Sequence, residues 1–501
     1  MKTETIVQIT DYKPVKCAHQ YFVALAKAGV GSKNMAKKSP AENKKYHFIG
    51  IGGVGTSALA AVLMKEKAII TGSDMQSSAL TERLSESGAK VVIGHSTDNL
   101  PEKLDGVIIS AAVKDDNPEL QAARQRKIMV YKYAQMLGQV LDRYKGVAIA
   151  GTHGKSTTSG WLVFVLKKLG IEPNFVIGAD ILQFGSSSAI GSSDIFVAEA
   201  CEYDRSFLNL HPKIGVILNV EQDHLDYYSG IDEIVQAFAD FASNISQDGV
   251  LVAGAQDANV AKILAQMSGK KEVLTFGVAE GPIISARNIK YSPLFTQFDC
   301  FHHSNMLGSA KIRLAGEHNV RNALAVLACT QALGLEAKEV INCLGGFEGM
   351  DRRVMKKARI NGVVVLDDYA HHPTEIKASL KAVRQKYGNK KIFCIFQPHQ
   401  YSRTRFLLKD FAESFKLADI TIVPEIYFVR DTEKSKNEVN SQMLADAIKQ
   451  KGSQAVFIGS FEKICDFLKD NVKSGDILIT MGAGNVWKVA DGYIQWLGKN
   501  S

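Results

Sequence analysis

The sequence predicts an α/β fold in three domains, on two observations. From Tyr46 onward, apolar runs of strand length alternate with segments of helical length, which is the spacing expected where helices cross between parallel strands. Glycine-rich turns also stand at two junctions between a strand and a helix, at residues 50–55 and 151–156. Because a chain of 501 residues is longer than one hydrophobic core usually organises, we expect several domains.

The first predicted domain covers residues 46–145. The segments "YHFIGIG" and "KAIITGSD" are apolar enough for buried strands, and "TSALAAVLMKE" between them has helical spacing. A second helix, "SALTERLSESG", is followed by the strands "KVVIGH" and "LDGVIISAAV". This alternation predicts a Rossmann-like domain with a parallel sheet.

The second predicted domain covers residues 146–355 and is of the P-loop ATPase type. It opens with "GVAIAGTHGKSTTSGWLVFVLKKLG", which predicts a strand, a glycine loop and a long helix. Three further strands, "DIFVAEACEYD", "IGVILNVEQDH" and "GVLVAGAQD", end in polar residues, and "GEHNVRNALAVLACTQALG" predicts a helix. Polar side chains at the ends of parallel strands converge on one edge of the sheet, where ligands bind.

The third predicted domain covers residues 356–501 and is again Rossmann-like. Its strands and helices are predicted from "GVVVLDDYAHHPTEIKASLKAVRQKYG", "KIFCIFQPHQYSRTR", "ADITIVPEIYF" and "GDILITMGAGNVWKVADGYIQWL".

Charge and composition narrow the classes of function. Residues 1–45 hold nine lysines against three acidic residues, so this basic leader carries +6 of the net charge of +8, and we expect it to be a solvated, partly disordered extension. The rest of the chain is near neutral, which argues against nucleic-acid binding. No apolar run reaches the length of a membrane span, and the seven dispersed cysteines are typical of a reduced, cytoplasmic protein.

The turn at residues 151–156, called the phosphate loop below, predicts nucleotide binding. Gly151 and Gly154 let the backbone turn so that consecutive N–H groups face one concavity, Lys155 can reach the β- and γ-phosphates, and the Ser156 hydroxyl can bind magnesium. The longer form of the motif fails at its first glycine, where Ile149 stands. A strand–helix turn with an incidental lysine is the alternative.

The turn at residues 50–55, called the first glycine loop below, has the pattern G-x-G-x-x-G. Its glycines are Gly50, Gly52, Gly53 and Gly55, and Asp74 ends the next strand about twenty residues later. Alone, this pattern indicates NAD or another dinucleotide, with the acidic residue on the ribose. A glycine turn that only allows close packing of helix on strand is the alternative.

Acidic strand ends supply candidate magnesium ligands. Glu199 and Glu202 follow one predicted strand, and Asp223, His224 and Asp226 follow another. Mg²⁺ prefers oxygen ligands. From the residues alone, His224 is therefore as well explained by a structural role as by ligation.

Taken together, the motifs resemble one family. In chain order they are "HFIGIGGVG", "GSD", "AGTHGKSTT", "EACEYDRSFL", "NVEQDHLDYY", "GEHNVRNALA", "DDYAHHPTE", "FQPHQYSRTR" and "MGAGN". This order is similar to that of the ATP-dependent Mur ligases of bacterial cell-wall synthesis, from about residue 46 onward. The resemblance implies that the first glycine loop holds the diphosphate of a UDP-sugar, that the second domain binds ATP, and that the third closes over both and brings the amino acid.

The activity that the resemblance implies is ligation of L-alanine to the lactyl carboxylate of UDP-N-acetylmuramate. ATP phosphorylates the carboxylate, and the amine of L-alanine then attacks the acyl phosphate. The implied cofactors are ATP and Mg²⁺, and the implied partners are these small-molecule substrates, with no nucleic acid, no membrane insertion, and a monomeric or dimeric chain.

The resemblance also implies site residues. Those that hold the UDP-sugar are Gly50, Gly52, Gly53, Gly55, Asp74, His95 and Ser110. Those that bind ATP are Gly151, Thr152, His153, Gly154, Lys155, Ser156, Thr157, His318, Asn319, Asn322 and Asp368. The metal ligands are Ser156, Glu199 and His224. The amino acid is held by Tyr369, His371 and Arg403, and the catalytic residues are Lys155, His371 and Arg403. The general base is left open between His371, His372 and Asp368.

Several positions depart from the family pattern, among them Ser156, which replaces the usual threonine and keeps the hydroxyl, and two of them keep alternatives open. Cys201 stands where an aspartate is frequent, and Gln400 stands where a basic residue often serves the reaction. The alternatives are a ligase that recycles whole peptides onto UDP-N-acetylmuramate and a UDP-sugar-binding protein without ligase activity. An NAD-dependent oxidoreductase, suggested by the first glycine loop alone, leaves the phosphate loop without a role.

Overall fold

The computed structural model describes residues 41–110, 112–429, 431 and 433–499. The predicted basic leader therefore lies outside the described residues up to position 40. Three separate sheets with helices around them confirm the predicted α/β fold.

The first sheet has five parallel strands in the order β3-β2-β1-β4-β5. Its strands are β1 (Lys45–Ile49), β2 (Ile69–Asp74), β3 (Lys90–Ile93), β4 (Gly106–Ile109) and β5 (Val130–Lys132). Its helices are α1 (Val54–Lys65), α2 (Ala79–Glu86), α3 (Pro118–Gln125) and α4 (Tyr133–Leu141). The strand order reverses direction at β1, so the first glycine loop, which follows β1, lies at the position where such sheets bind ligands.

The second sheet has ten strands in the order β15-β14-β13-β12-β11-β10-β6-β9-β7-β8. They are β6 (Lys145–Ala150), β7 (Asn174–Ile181), β8 (Ser186–Ala189), β9 (Ile195–Glu199), β10 (Ile214–Ile217), β11 (Val250–Gly254), β12 (Glu272–Val278), β13 (Ile284–Tyr291), β14 (Thr296–His302) and β15 (Asn305–Ile312). The helices are α5 (Lys155–Lys168), α6 (Ile231–Ser243), α7 (Ala258–Met267), α8 (Glu317–Ala332) and α9 (Ala337–Leu344). The antiparallel strands β13–β15 at one edge and β8 at the other extend a parallel centre.

The third sheet has six strands in the order β16-β17-β21-β18-β19-β20, parallel except for β16. They are β16 (Met355–Ile360), β17 (Val363–Asp368), β18 (Ile392–Phe396), β19 (Ile420–Val423), β20 (Ala455–Phe457) and β21 (Ile477–Met481). The helices are α10 (Pro373–Tyr387), α11 (Tyr401–Phe406), α12 (Leu408–Ala412), α13 (Ser441–Gln450), α14 (Phe461–Asn471) and α15 (Trp487–Lys499).

The middle domain buries the two helices that carry its motifs. The stretch "WLVFVL" of α5 is apolar on every side, as a helix enclosed by its neighbours must be, and all six of these residues are buried. Helix α8 packs against α5 and is buried along most of its length. Since most of their residues are buried, both helices are held within the middle domain.

The described residues include no helix that combines the length and the apolar character of a membrane-spanning segment.

Candidate active site

The phosphate loop forms a cradle at the amino terminus of α5. Gly151 and Gly154 have φ of +143° and +88°, values that favour glycine because a Cβ would be strained there. A Cβ at Gly154 would also lie 2.8 Å from Asn322 Oδ1. No described side chain caps α5, so the N–H groups of its first turn are available to an anion. This geometry fits a bound phosphate.

Lys155, the first residue of α5, is engaged by a buried carboxylate. Its Nζ lies 3.0 and 2.9 Å from the two carboxylate oxygens of Glu202, and it also donates to the carbonyl oxygens of Gly151 and Thr152. Burial disfavours the ammonium, but the negative charge of Glu202 outweighs it, and the pKa of Lys155 is raised. Lys155 is therefore a cation that already lies against the loop.

Helix α8 brings three more predicted ATP-binding residues to the phosphate loop. Asn322 approaches Gly154, and its amide donates to Asn319 Oδ1 at 3.2 Å. Asn319 in turn donates to the carbonyl of Ala315 and lies 3.1 Å from the ring of His318. Burial lowers the pKa of His318 to about 4, so its ring is neutral at neutral pH. Thr157 lies half-buried on the first turn of α5.

The proposed metal ligands approach the loop from two strand ends. Glu199 ends β9, and its Oε1 accepts from the N–H of Gly178 at 2.5 Å. His224 has an unusual φ of +54°, and its Nε2 lies 3.9 Å from Glu202 Oε1. Ser156 is buried on the first turn of α5. Hydroxyl and carboxylate oxygens are donors that suit Mg²⁺, so the oxygen-bearing part of this set fits that ion; the His224 nitrogen is the less suited donor.

The first glycine loop brings together several of the residues predicted to hold the UDP-sugar. The N–H of Gly52 donates to Asp74 Oδ2 at 2.8 Å, across from β2. Gly50 has a φ of +77°, and a Cβ there would lie 2.7 Å from Ser110 Oγ. Gly53 precedes the first turn of α1. A larger residue at Gly50 or Gly52 would therefore displace Ser110 or Asp74.

Tyr133 connects the first glycine loop to the middle domain. A Cβ at Gly55 would lie 2.9 Å from Tyr133 Cζ. Burial and, secondarily, the charge of Glu199 raise the pKa of the Tyr133 phenol. One residue thus lies close to both predicted sites.

His95, the remaining predicted UDP-sugar residue, belongs to a buried hydrogen-bonded network around Glu119. Glu119 is fully buried, and its carboxylate accepts from Ser73 Oγ at 2.5 Å and Asn99 Nδ2 at 2.6 Å. His47 Nε2 lies 3.1 Å from it, and His95 Nδ1 lies 3.4 Å from it. Burial opposes ionisation of Glu119, but these hydrogen bonds lower its pKa to about 2. His95 is therefore oriented by Ser73, whose Oγ lies 2.9 Å from His95 Nδ1, and through Ser73 by a carboxylate from α3.

Arg403 joins the third domain to the middle one. It is buried, and its guanidinium donates twice to Asp223 Oδ1, at 2.8 and 3.1 Å. Burial opposes ionisation of Asp223, but Arg403 holds the pKa of its carboxyl well below the ordinary value. Gln400 is buried at the start of α11 with a φ of +71°. Both residues line a cavity that also touches His224.

The other third-domain residues cluster after β17. Asp368 is buried, burial raises its pKa to about 6, and its Oδ2 has no hydrogen-bond partner among the described residues. His371 Nδ1 lies 3.1 Å from the carbonyl oxygen of Tyr369, to which it donates as a neutral ring. Burial lowers the pKa of His371 to about 4, although Glu375 opposes the shift.

The side chain of His153 turns toward the third domain. Its Nδ1 lies 3.1 Å from Glu375 Oε1, and its Nε2 lies 3.5 Å from Glu221 Oε2. Burial alone would lower the pKa of His153, but the two carboxylates raise it to about 9. The backbone of His153 holds the loop itself, because its N–H donates to Asn219 Oδ1 at 2.8 Å and its carbonyl oxygen accepts from Asn219 Nδ2 at 3.0 Å.

Several residues of this arrangement escaped the sequence analysis. Glu119 had no signal, because it lies on α3 and its partners come from two strands and a loop that are distant in the sequence. Glu221 and Glu375 were also missed as partners of His153. For Glu375 a signal existed, since "HPTE" forms a capping box at the start of α10. The side chain of His372 accepts from a backbone N–H of the first turn, and the side chain of Glu375 accepts from the backbone N–H of His372, as is typical of helix starts.

Known proteins match almost the whole chain. Residues 45–145 match the Mur ligase family catalytic domain, residues 149–330 the Mur ligase middle domain, and residues 352–484 the Mur ligase glutamate ligase domain. A UDP-N-acetylmuramate–L-alanine ligase of Caldanaerobacter subterraneus subsp. tengcongensis is 42% identical over 454 residues, which is 90% of this chain and 97% of that protein. A protein of the same name from Clostridium botulinum (strain Loch Maree / Type A3) is 41% identical over 456 residues, which is 91% of this chain and 98% of that protein.

Solved structures agree with these matches. The UDP-N-acetylmuramate-alanine ligase of Thermotoga maritima superposes with a TM-score of 0.78 at 27% identity, covering 91% of this chain and 100% of that one. A murein peptide ligase of Psychrobacter arcticus has a TM-score of 0.70 at 24% identity, covering 91% and 99% of the two chains. The second likeness is one of fold.

Proposed function

The chain belongs to the Mur ligase family, and from this membership we propose that it joins L-alanine to the lactyl carboxylate of UDP-N-acetylmuramate with ATP. The observation that carries the proposal is the identity of 42% to a UDP-N-acetylmuramate–L-alanine ligase over 90% of this chain. The peptide-recycling alternative rests on structural likenesses at 24% and 28% identity, over 91% and 62% of this chain, and the 42% identity favours the alanine ligase over it.

ATP is proposed to bind at the phosphate loop. The free N–H groups of the first turn of α5 would hold phosphate oxygens, and Lys155 would neutralise the charge that spreads over the transferred phosphoryl group. Lys155 already lies against the loop carbonyls, so only its pairing with Glu202 has to be exchanged for the phosphates. Asn319, Asn322 and His318 are proposed to hold the nucleotide from α8.

Magnesium is proposed to be held by Ser156, Glu199 and His224, with Glu202 as an additional nearby carboxylate. A bound Mg²⁺ offsets the charge of the triphosphate, which otherwise repels the carboxylate nucleophile. Glu202 and Glu199 both raise the pKa of Lys155, so their negative charges act on the cation at the phosphate loop.

The UDP-sugar is proposed to lie over the first glycine loop. The turn at Gly50 and Gly52 gives the diphosphate close access to the backbone, Asp74 and Ser110 would contact it or the ribose, and His95 would be held in place by Glu119. Tyr133, which lies next to Gly55 and whose pKa the charge of Glu199 raises, is proposed to lie where the lactyl carboxylate meets the γ-phosphate.

L-Alanine is proposed to bind between Arg403, Tyr369 and His371. Arg403 would pair with the alanine carboxylate in place of Asp223, because both are carboxylates that accept from the same guanidinium. The neutral His371 ring presents Nε2 as a hydrogen-bond acceptor for the amine. Asp368, with a pKa raised to about 6, is a stronger base than His371 and is the better proton acceptor of the two.

Three finer statements complete the proposal. The enzyme acts in the cytoplasm, where ATP and UDP-linked sugars are available, and is monomeric or dimeric. Its domains divide at 46–145, 146–355 and 356–501. Sedimentation with and without substrates tests the oligomeric state, and limited proteolysis tests the boundaries.

Product identification by mass tests the proposed function. The protein is incubated with ATP, Mg²⁺, UDP-N-acetylmuramate and an equimolar mixture of L-alanine, L-serine, glycine and an alanine-headed tripeptide. We expect the alanyl product to predominate. A predominant tripeptide product would establish the recycling activity instead, and binding of UDP-N-acetylmuramate without any product would establish a binding protein.

A further inference from the structure

A cluster of two histidines and one carboxylate lies where the third domain meets the phosphate loop. Ligand atoms of His153, Glu221 and His372 all lie within 4.8 Å of one another. Glu221 Oε2 is 3.5 Å from His153 Nε2 and 3.9 Å from His372 Nδ1. In a tetrahedral zinc site with bonds of about 2.0–2.1 Å, ligand atoms are separated by roughly 3.4 Å. The cluster therefore needs only a small contraction to enclose an ion.

The remaining nitrogen of each histidine is already fixed by an acceptor. His153 Nδ1 lies 3.1 Å from Glu375 Oε1, and His372 Nε2 lies 3.2 Å from the carbonyl oxygen of Gln222. Such outer partners set the tautomer and turn the other ring nitrogen toward a metal. In His153 that other nitrogen, Nε2, is buried, and its nearest partner is the proposed ligand Glu221, with Oε2 at 3.5 Å.

The carboxylate is positioned as well. Thr374 Oγ1 donates to Glu221 Oε2 at 2.6 Å, which leaves a lone pair of that oxygen for a cation. The backbone N–H of Thr374 lies 3.3 Å from His372 Nδ1, a long hydrogen bond that a metal bond to this nitrogen would replace. Two imidazoles and one carboxylate form a donor set that zinc takes in three-ligand sites, with water in the fourth position.

We propose that His153, Glu221 and His372 form a zinc-binding site that ties the third domain to the phosphate loop. The site is separate from the proposed magnesium ligands, and zinc has no part in the proposed ligation. The groups that face His153 are Glu221, Glu375 and His372, and entry of the ion displaces one proton from the His153 ring. Because two ligands belong to the middle domain and one to the third, bound zinc holds the two domains together.

Zinc titration of the full-length protein tests the site without any substrate. Calorimetry of nucleotide-free protein with Zn²⁺ is expected to give one equivalent bound. Glu221→Gln keeps the shape of the side chain, and His372→Asn keeps a residue that can cap α10; each is expected to weaken binding at least about tenfold. His211→Asn and Cys201→Ser are matched controls, since His211 and Cys201 are exposed, and both are expected to leave the affinity unchanged.

Cobalt absorption provides a second measurement that does not depend on the folding of a variant. Co²⁺ at this site is expected to show ligand-field bands of nitrogen and oxygen donors, without a thiolate charge-transfer band. The proposal is overturned by a thiolate band, by equal zinc affinity in Glu221→Gln, His372→Asn and the unaltered protein, or by a loss of affinity confined to the controls.

Discussion

Replacing Lys155 by alanine removes a buried cation and leaves its partner behind. The side chains of Lys155 and Glu202 are 17% and 4% exposed, and their ion pair is bidentate. Breaking a buried pair from one side costs about 3–5 kcal/mol, because the remaining charge is uncompensated. The same substitution removes charge stabilisation of the phosphoryl transfer, which is worth about 2.7–4 kcal/mol, or a rate factor of roughly 10²–10³.

The double variant Lys155→Ala/Glu202→Gln separates these two effects. Neutralising Glu202 removes the uncompensated charge, so the unfolding midpoint is expected to recover most of the loss seen in Lys155→Ala. Phosphate release in the presence of all three substrates is expected to stay at least about a hundredfold low in both variants. Affinity for UDP-N-acetylmuramate, measured by calorimetry, is expected to stay close to that of the unaltered protein.

Two results would refute this reasoning. A Lys155→Ala variant with an unchanged unfolding midpoint would show that the ion pair with Glu202 contributes nothing. Recovery of phosphate release in the double variant would show that Lys155 has no role in the transfer.

Three further predictions concern single residues. Glu119→Gln replaces the carboxylate by an amide, although the groups around it are hydrogen-bond donors. The unfolding free energy is therefore expected to fall by about 1–3 kcal/mol, and the KM for UDP-N-acetylmuramate is expected to rise. An unchanged KM would mean that the network does not orient the site. The pKa of His153 is raised to about 9 from an unfolded value near 6.5, so its stabilising contribution is complete below pH 6.5 and is lost as the pH rises through about 9. In the presence of a chelator, the difference in unfolding midpoint between the unaltered protein and His153→Asn should shrink across that interval, and a constant difference would contradict the assignment. Glu199→Ala is expected to raise steeply the Mg²⁺ concentration that gives half-maximal activity. Turnover is titrated against Mg²⁺ at fixed ATP, and an unchanged half-maximal concentration would disprove the role of Glu199.

The sequence predicted the parallel centre of each sheet because those strands are buried on both faces. Runs such as "GVAIA" and "KIFCIF" are continuous and apolar, and they fall on β6 and β18, as expected for central parallel strands. The antiparallel strands β13–β15 were not predicted. Residues 296–300 do alternate between buried and less buried positions, but their pairing depends on partners that a local pattern does not identify.

The candidate site also has a part that could be predicted from the sequence and a part that could not. The glycines of both loops could be predicted, because their requirement for positive φ at Gly50, Gly151 and Gly154 is local and produces a recognisable motif. The charged partners of Lys155 and His153 could not be predicted. Lys155 and Glu202 are 47 positions apart, and His153 and Glu375 are 222 positions apart, so these pairs exist only because strand ends and domains are packed together.

Oxygen transfer from the sugar substrate to phosphate tests the central claim most directly. UDP-N-acetylmuramate labelled with ¹⁸O in its lactyl carboxylate is supplied with ATP, Mg²⁺ and L-alanine, and the inorganic phosphate is analysed by mass. Because an acyl phosphate loses its bridging oxygen with the phosphate when the amine attacks, the account predicts one ¹⁸O atom in each phosphate released. Phosphate without the label, formed together with the alanyl product, would contradict transfer of the terminal phosphoryl group of ATP to the carboxylate.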